Sequence, residues 1–382
     1  MSVLIHSARL VSAGRDDADG WVLLTPAGIG ARGTGPTWRS VAADLVIDAV
    51  DAAGPGALLT PGFIDLHGHG GAGGSYDDGP AAIRAARAMH RAHGTTRAVL
   101  SLVTAPLEEM ARRAALVAEM TRAGEGVLGS HLEGPFLDAG HKGAHASALL
   151  QPPSPAAIER LIEAGAGTVR QITLAPDAPG GLDAVRQVVA AGIVAAVGHT
   201  GADRDLAAAA FDAGATVLTH AFNAMPGLHH RAPGPVGAAL SDERVVLELI
   251  ADGVHLHPDI VRIAAAAAPG RIALVTDAMA AAGASDGDYT IGALAVTVRD
   301  GVARLTGTDT IAGSTLTQDT ALRTTVAAGV PLPAAVDALT RTPARVLARA
   351  DLGRLEVGAV ADAVLLRADL TVARVWVDGR TV

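Results

Sequence analysis

Eight short apolar segments alternate with longer alanine-rich segments along the middle of the chain, and this alternation is the strongest constraint on its fold. Most of the eight are near-continuous apolar runs, which is typical of parallel strands that are covered on both faces. The predicted strands are Gly62–His67, Thr96–Thr104, Gly126–Glu133, Val169–Ala175, Ile193–His199, Thr216–His220, Val245–Asp252 and Ile272–Asp277.

The segments between these strands have the length of helices. Several begin with proline in the first turn, or follow an aspartate or serine that can cap the helix. Eight strands, each followed by a helix over about 290 residues, predict a (β/α)₈ TIM barrel, with an open doubly wound sheet as the alternative. The predicted helices are Pro80–His93, Pro106–Arg122, Pro155–Ala164, Leu182–Ala191, Asp203–Ala213 and Pro258–Ala268.

Both ends of the chain are predicted to form one small β-sandwich-like domain, from residues 1–57 and 351–382. Short apolar runs there are separated by turn residues and show no long helical period. Residues 58–350 are predicted to form the catalytic barrel. A hairpin insertion is expected near 288–306, where Asp300–Gly301 is a strong turn signal between Tyr289–Val298 and Val302–Leu305.

The composition excludes several classes of protein. The net charge of −9 and the aromatic content of 2% argue against nucleic acid as a partner, and no apolar run is long enough to cross a membrane. The absence of cysteine excludes disulfides, thiolate metal sites and a cysteine nucleophile. Residues 1–17 lack a basic region followed by a long apolar stretch, so we expect a cytoplasmic protein.

Ionisable residues recur at the carboxyl ends of the predicted strands. In a barrel these ends converge on the face where active sites lie. Each histidine alone is equally well explained as a hydrogen-bonded core or surface residue, but their shared position favours a site. Histidines and carboxylates without thiolates suit Zn²⁺ and tolerate other divalent metals. The residues are His67, His69, Glu133, His199, His220 and Asp277.

The pair His67-x-His69 lies at the exit of the first predicted strand. Strand alternation places residues i and i+2 on one face, so both imidazoles can reach one ion. The glycines that follow also match a dinucleotide-binding pattern formally. No acidic residue lies in the next strand, Thr96–Thr104, as that function would require, and a dinucleotide site is therefore not indicated.

At these residues the sequence resembles known families. The segment 61–69 is similar to the first-strand motif of the amidohydrolase superfamily, and Gly358–Asp362 is similar to its closing segment. Narrower motifs resemble the N-acetylglucosamine-6-phosphate deacetylase family, and the resemblance runs from about residue 58 to 363. These motifs are His131–Phe136, Gly198–Thr200, Thr219–Met225, Asp252–His255 and Val275–Met279.

The resemblance implies a set of site residues. Glu133, His199 and His220 would hold the principal divalent ion, expected to be Zn²⁺, with Fe²⁺, Co²⁺ and Mn²⁺ as alternatives. His67 and His69, with Glu133 bridging and Asp277 nearby, would hold a second ion, so one or two ions are expected per chain. Asp277 would be the catalytic acid and base, and His145 would polarise the substrate carbonyl.

The resemblance also implies a phosphorylated amino-sugar substrate and a homodimer. Substrate contacts are expected from Asn223, Ala224, Arg231, His255, Ile311 and Ala312. Arg231 supplies a planar donor suited to phosphate. Its loop, Leu228–Gly234, is also consistent with a simply solvated basic loop, and the sequence leaves open whether Arg231 serves a neighbouring subunit.

The expected reaction is hydrolysis of N-acetyl-D-glucosamine 6-phosphate to D-glucosamine 6-phosphate and acetate, in amino-sugar catabolism and recycling. Asp277 and a metal-activated water agree independently with amide hydrolysis. The alternatives are another amidohydrolase, either a cyclic-amide hydrolase or an N-acyl-amino-acid deacylase, and a non-catalytic metal-bound sugar-phosphate sensor.

Overall fold

The computed structural model describes residues 1–382, and its central feature is an eight-stranded sheet in which the strands follow one another in chain order. Neighbouring strands are parallel from the second to the eighth. This sequential order confirms the TIM barrel and excludes the doubly wound alternative. Numbered one to eight, the barrel strands are Phe63–Asp65, Thr95–Val103, Val127–Glu133, Val169–Leu174, Val194–Val197, Val217–Leu218, Val246–Leu249 and Ile272–Leu274.

Backbone hydrogen bonds beyond the strand ends close the barrel on the face where the strands end. The N–H of Asp277 donates to the carbonyl of His67 at 2.8 Å, and the N–H of His69 donates to the carbonyl of Ala278 at 2.7 Å. The chain that leaves the eighth strand is thereby joined to the chain that leaves the first. The residues that follow these two strands are held side by side.

Seven helices alternate with the barrel strands. Six were predicted to within one residue at each end. Their starts follow ordinary capping chemistry, since the Ser154 hydroxyl accepts from the N–H of Ala157 and the Asp203 carboxylate accepts from Asp205 and Leu206. The helix Gly234–Ser241 was missed, because glycine and proline at its start indicate a loop. The seven are Pro80–Ala92, Leu107–Ala123, Pro155–Ala164, Gly181–Ala190, Arg204–Asp212, Gly234–Ser241 and Pro258–Ala267.

The predicted hairpin insertion is a three-stranded antiparallel sheet of Gly287–Ile291, Leu294–Arg299 and Val302–Leu305. The Asp300–Gly301 turn is confirmed, with φ values of 51° and 73°. The single predicted strand Tyr289–Val298 is wrong, because the chain turns at Gly292, whose φ is 53°. A small pair, Gly70–Gly71 with Gly74–Ser75, follows the first barrel strand.

Both ends of the chain contribute to one eight-stranded mixed sheet, as predicted. The sequence also predicts separate strands at Val3–Ile5 and Arg9–Val11. They form one strand, because the left-handed Ser7, with φ 58°, makes an irregularity without ending it. The apolar core packed against this mixed sheet includes Leu59, Leu365 and Trp376. The strands are Val3–Ser12, Arg15–Thr25, Gly28–Thr34, Leu45–Asp48, Leu58–Pro61, Ala363–Leu366, Val372–Val377 and Arg380–Thr381.

Four further helices are Ala49–Ala53, Gln318–Ala327, Leu332–Leu339 and Arg341–Val346. The sequence also predicts helices at Thr315–Ala328 and Pro343–Ala350. The first begins three residues later, at Gln318, and the second begins at Arg341 and ends at Val346. The helix Leu332–Leu339 was not predicted. Short 3₁₀ turns occupy Gly35–Ser40, Tyr76–Asp78, Ala139–His141 and Ser147–Leu149.

The chain divides into two compact units. One contains Met1–Asp65, His90–Arg97 and Thr317–Val382, and the other contains Leu66–Met89 and Ala98–Leu316. All predicted site residues belong to the second unit. The domain boundaries drawn from the sequence stay a prediction. None of the helices combines the length and apolarity that crossing a membrane requires.

Candidate active site

Glu133, the last residue of the third barrel strand, lies at the centre of a buried cluster of histidines. Its Oε1 atom is 3.1 Å from Nε2 of His199 and 3.3 Å from Nε2 of both His220 and His67. Its Oε2 atom is 3.2 Å from Nε2 of His69. One carboxylate therefore joins two pairs of imidazoles, which come from the exits of three barrel strands, the first, the fifth and the sixth.

The second pair of imidazoles also meets Asp277. Nε2 of His67 and Nε2 of His69 are 3.2 Å apart. Oδ1 of Asp277 is 3.1 Å from His69 and 3.5 Å from His67. The structure thus brings together all six residues that the strand-end pattern selected.

The donor atoms of this cluster suit a divalent metal. Nε2 atoms and carboxylate oxygens from His67, His69 and Glu133 all lie within 4.8 Å of one another, and so do those of Glu133, His145 and His199. In a tetrahedral zinc site with bonds of about 2.0–2.1 Å, neighbouring ligand atoms are about 3.3 Å apart. The separations around Glu133 are close to this value, so the residues fit the ion.

Burial and mutual charge set the ionisation of the cluster. Burial opposes ionisation of Glu133, but its histidine neighbours, His67 first, hold its pKa well below the usual range. Burial likewise opposes charge on Asp277, yet His67 and His69 lower its pKa. Burial disfavours protonation of His69, but hydrogen bonds to Asp277 and Glu133 raise its pKa to about 9. Both carboxylates are therefore anionic at neutral pH and attract cations.

Three of the strand exits have left-handed backbone at the site residue itself. The φ values are 47° for His199, 27° for His220 and 49° for Asp277. Residues other than glycine rarely adopt this conformation, and it concentrates at functional sites. It also explains why the strands end two or three residues before the predicted ends, since each exit residue turns out of the sheet.

His145 enters the cluster from the loop after the third strand. Its Nε2 atom is 3.4 Å from Oε2 of Glu133, and its Nδ1 atom is 2.9 Å from the Thr104 hydroxyl. Because that hydroxyl donates its own proton to the carbonyl of Glu133, Nδ1 of His145 must carry the hydrogen. The ring is thereby fixed with Nε2 beside Glu133.

The same loop passes close to His199. Gly143 has φ 53°, and a Cβ added there would lie 3.1 Å from Cε1 of His199. The carbonyl of His141 lies 3.0 Å from Nδ1 of His199, where it accepts the ring hydrogen. With Nδ1 engaged, Nε2 of His199 is left for the cluster.

A cavity of about 310 Å³ opens over the cluster. Four of the residues predicted to contact substrate line it, namely Asn223, Ala224, His255 and Ile311. Neither an arginine nor a lysine is among the lining residues. The predicted metal-binding and catalytic residues His69, Glu133, His145, His199, His220 and Asp277 line it as well, together with Gly143, Ala144, Ile291, Asp309, Thr310 and Gly313.

Two predicted substrate residues lie elsewhere. Ala312, the residue after Ile311, is buried in an apolar cluster with Met279 and Val296. Arg231 is exposed on its loop and does not line the cavity. His255, which does line the cavity, has an acidic neighbour that favours its protonated form, because Oδ2 of Asp252 lies 2.7 Å from its Nδ1 atom. Burial opposes protonation of His255, but this carboxylate raises its pKa.

Sequence reasoning missed three residues of this region. Thr104 fixes His145, and Asp309 lines the cavity from the loop after the three-stranded sheet. Glu248 lies fully buried beneath His67. The available signal for Glu248 was one acidic residue inside an otherwise apolar strand, Val246–Leu249.

The barrel and its buried histidine–carboxylate centre define a metal-dependent hydrolase. The model of the amidohydrolase family matches residues 58–382, and the chain belongs to this family. The family is metal-dependent, and the histidine–glutamate cluster is the corresponding site in this chain.

Relatives and solved structures are similar over most of the chain. The chain is 41% identical over 329 residues to N-acetylgalactosamine-6-phosphate deacetylase of Escherichia coli O157:H7, covering 85% of this chain and 87% of that protein. It is 37% identical over 332 residues to N-acetylglucosamine-6-phosphate deacetylase of Vibrio furnissii, with coverages of 85% and 82%. N-acetyl-D-glucosamine-6-phosphate deacetylase from Mycobacterium smegmatis, solved as a mutant with N-acetyl-D-glucosamine 6-phosphate, matches with a TM-score of 0.94 and 42% identity over 100% and 99% of the two chains.

Proposed function

We propose that the protein hydrolyses the acetamide of N-acetyl-D-glucosamine 6-phosphate to give acetate and D-glucosamine 6-phosphate, in amino-sugar catabolism and recycling. The observation that carries this proposal is the convergence of Asp277 with the Glu133-centred histidines at one cavity. The sugar phosphate bound by the Mycobacterium smegmatis structure supports the same substrate for this chain.

Glu133, His199 and His220 are proposed to hold the principal ion, and His67 and His69, with Glu133 and Asp277, a second one. We favour Zn²⁺, with Fe²⁺, Co²⁺ and Mn²⁺ as alternatives, because all donors are imidazole nitrogens and carboxylate oxygens. A divalent ion at such a site lowers the pKa of water from about 15.7 to about 7 and polarises a carbonyl.

Asp277 is proposed to move the proton. Its lowered pKa keeps it ionised at neutral pH, and its Oδ1 atom lies beside His69. Oδ2 is therefore left to take a proton from the attacking water and to deliver it to the departing amine nitrogen. An amine leaves poorly as an anion, so this delivery is the step for which the carboxylate is needed.

His145 is proposed to stabilise the oxyanion that forms when water attacks the acetyl carbon. Its Nδ1–H is held by Thr104, which keeps the ring in place with Nε2 facing the cavity beside Glu133, where the oxyanion would form. Ile311 and the backbone near Ala224 border the sugar, and Ala312 supports Ile311 from the core.

Asn223, Ala224 and His255 are proposed to contact the sugar phosphate. Since no arginine or lysine lines the cavity, we further propose a homodimer in which Arg231 of the partner subunit completes the phosphate site. Leu228, in the Arg231 loop, is 48% exposed, and Val254, next to His255, is 41% exposed. In the proposed dimer the partner subunit would cover such exposed apolar side chains near Arg231 and His255. The cytoplasmic location stays a prediction.

A second candidate substrate is the C4 epimer, N-acetyl-D-galactosamine 6-phosphate. The Escherichia coli relative, at 41% identity, is named for that sugar. Both epimers carry the same acetamide and phosphate, so the cluster at Glu133 treats them alike. Only residues facing the C4 hydroxyl can distinguish them.

The deciding experiment measures acetate and free amine released by the metal-loaded enzyme. The substrates are both 6-phosphates, unphosphorylated N-acetylglucosamine, a cyclic amide and an N-acetyl amino acid. We expect the largest kcat/KM for a sugar 6-phosphate. A preference for the cyclic amide or the amino acid would identify another amidohydrolase. Tight binding of sugar phosphate without acetate release would identify a sensor.

A further inference from the structure

Glu248 is a buried carboxylate that does not line the cavity. It belongs to the seventh barrel strand, and its side chain is fully enclosed. Its Oε2 atom is 3.1 Å from Nδ1 of His67 and 3.4 Å from the backbone N–H of His220. Its Oε1 atom accepts from Nε2 of Gln171 at 2.8 Å. All three contacts supply hydrogens to the carboxylate.

The contact with Glu248 dictates how His67 is used. Glu248 accepts hydrogen bonds from the N–H groups of Gln171 and His220, and as the acceptor from His67 as well it places the ring hydrogen of His67 on Nδ1. Nε2 is then the nitrogen on the side of the cluster, 3.3 Å from Glu133 and 3.2 Å from Nε2 of His69. A hydrogen-bond acceptor behind a histidine fixes both the tautomer and the ring orientation of a metal ligand.

Gln171 in turn orients Glu248. It lies on the fourth strand, is 1% exposed, and uses its side chain for one hydrogen bond, the one to Glu248. Its Oε1 atom has no partner. A buried amide oxygen without a partner is costly, so the contact that accounts for glutamine at this place is its hydrogen bond to the Glu248 carboxylate.

We infer that Glu248 and Gln171 are positioning residues that present Nε2 of His67 to a divalent ion and so set the affinity of the site formed by His67 and His69. This inference rests on the proposed function only for the presence of the ion. It requires neither the sugar substrate nor the catalytic step.

The test compares Zn²⁺ binding by the full-length wild type and three variants, using metal-free protein titrated against a competing chelator. E248Q places an amide N–H against Gln171 or His67, both of which donate hydrogen bonds to the native carboxylate. We therefore expect the affinity for one of two bound ions to fall by about 10–100-fold. The other ion should bind unchanged. Q171L, which removes only the support, should cause a smaller loss at the same ion.

The exchange variant E248Q/Q171E provides the decisive comparison. The amide introduced at 248 can donate to the carboxylate introduced at 171 while its carbonyl still accepts from His67. Most of the affinity lost in E248Q should therefore return. T325V is the matched control, because Thr325 is buried with an unpartnered hydroxyl and should leave both ions unaffected.

Imidazole ¹⁵N shifts of His67 in the metal-free protein give an independent readout. Wild type and the exchange variant should carry the hydrogen on Nδ1, and E248Q should show a mixture of tautomers. Wild-type zinc affinity in E248Q, or an exchange variant no better than E248Q, would overturn the inference. If E248Q fails to fold, Q171L and the exchange variant decide. Lack of deacetylase activity in the wild type would refute the proposed function alone, because zinc binding is measured without substrate.

Discussion

The Nε2 atoms of His199 and His220 lie 2.9 Å apart, although the two rings come from different barrel strands. Oε1 of Glu133 is within 3.3 Å of both. Three acceptor-type atoms from three strand exits therefore point at one small volume. Two imidazole lone pairs at this distance repel unless a proton or a cation lies between them, and this geometry motivates the first prediction.

Purified protein should contain divalent metal, and thorough chelation should abolish acetate release.

Replacing His67 and His69 together with alanine should remove about one metal equivalent and leave the ion at Glu133, His199 and His220. Residual activity should persist in that variant, since the remaining ion still activates water. Elemental analysis paired with turnover is the measurement. Full activity in metal-free protein would contradict the mechanism, and a wild-type ratio of one that the double variant leaves unchanged would show a mononuclear enzyme.

Asp277→Asn keeps the shape of the side chain and removes the proton acceptor. We expect kcat to fall by about 10²–10⁴-fold, the usual size of a general acid–base contribution, with a smaller change in KM. Metal content must be measured beside the rates, because Oδ1 of Asp277 is 3.1 Å from His69. A variant with normal metal and near-normal kcat would assign the proton transfer to another group.

Arg231→Ala should weaken binding of the phosphorylated substrate by about 1.5–3 kcal/mol. It should affect binding of unphosphorylated N-acetylglucosamine far less. Because Arg231 is exposed and outside the cavity lining, subunit mixing tests where it acts. Refolding R231A together with D277N should restore phosphate-dependent turnover if Arg231 reaches the neighbouring site. An equal loss for both sugars would exclude phosphate recognition, and no recovery on mixing would exclude action across subunits.

Asp319 should make folding stability depend on acid pH. Its Oδ1 atom is 3.0 Å from Nδ1 of His93, and its Oδ2 atom accepts from Arg323 at 2.9 Å. Burial opposes ionisation of Asp319, but His93, Thr317 and Arg323 lower its pKa to about 2. A carboxyl whose folded pKa lies below its unfolded value of about 3.9 stabilises the fold above that pH, here by about 2 kcal/mol.

Asp319→Asn should therefore lower the free energy of unfolding at pH 7. The difference in unfolding free energy between the variant and the wild type should shrink as pH falls from about 4 toward about 2, where the native carboxylate gains its proton. Denaturant titrations across this range measure the gap. Asp183→Asn is the control, because that side chain is 86% exposed. A pH-independent gap would show that packing, not charge, accounts for the loss.

The periodic parts of the barrel were predictable because each element carries its own local signal. Helices such as Pro155–Ala164 have an N-cap serine, a first-turn proline and an apolar stripe, and their limits were found within one residue. Gly234–Ser241 starts with the same residue types that end helices elsewhere. Its helical state depends on packing against neighbours, which a local pattern does not contain.

From the residue pattern alone, without the family resemblance, the site was predictable only where ionisable residues coincide with a strand end. His199 and His220 follow short apolar runs, so their convergence follows from barrel topology. Glu248 lies within a strand, and its role depends on which ring lies above it in three dimensions. Asp309 and the inward position of Ile311 depend on how the three-stranded sheet folds over the cavity. No spacing rule encodes that path.

The left-handed backbone at His199, His220 and Asp277 has a consequence for engineering. Each such residue stores roughly 1–3 kcal/mol of conformational energy, which the rest of the barrel must offset. Glycine at any of these positions would relax the chain while removing the ligand or the proton carrier. Under selection for heat resistance alone, substitutions are therefore expected to accumulate at these three positions, and the resulting variants are expected to lose catalytic activity. Selection for a robust catalyst is better directed at the exposed faces of the helices.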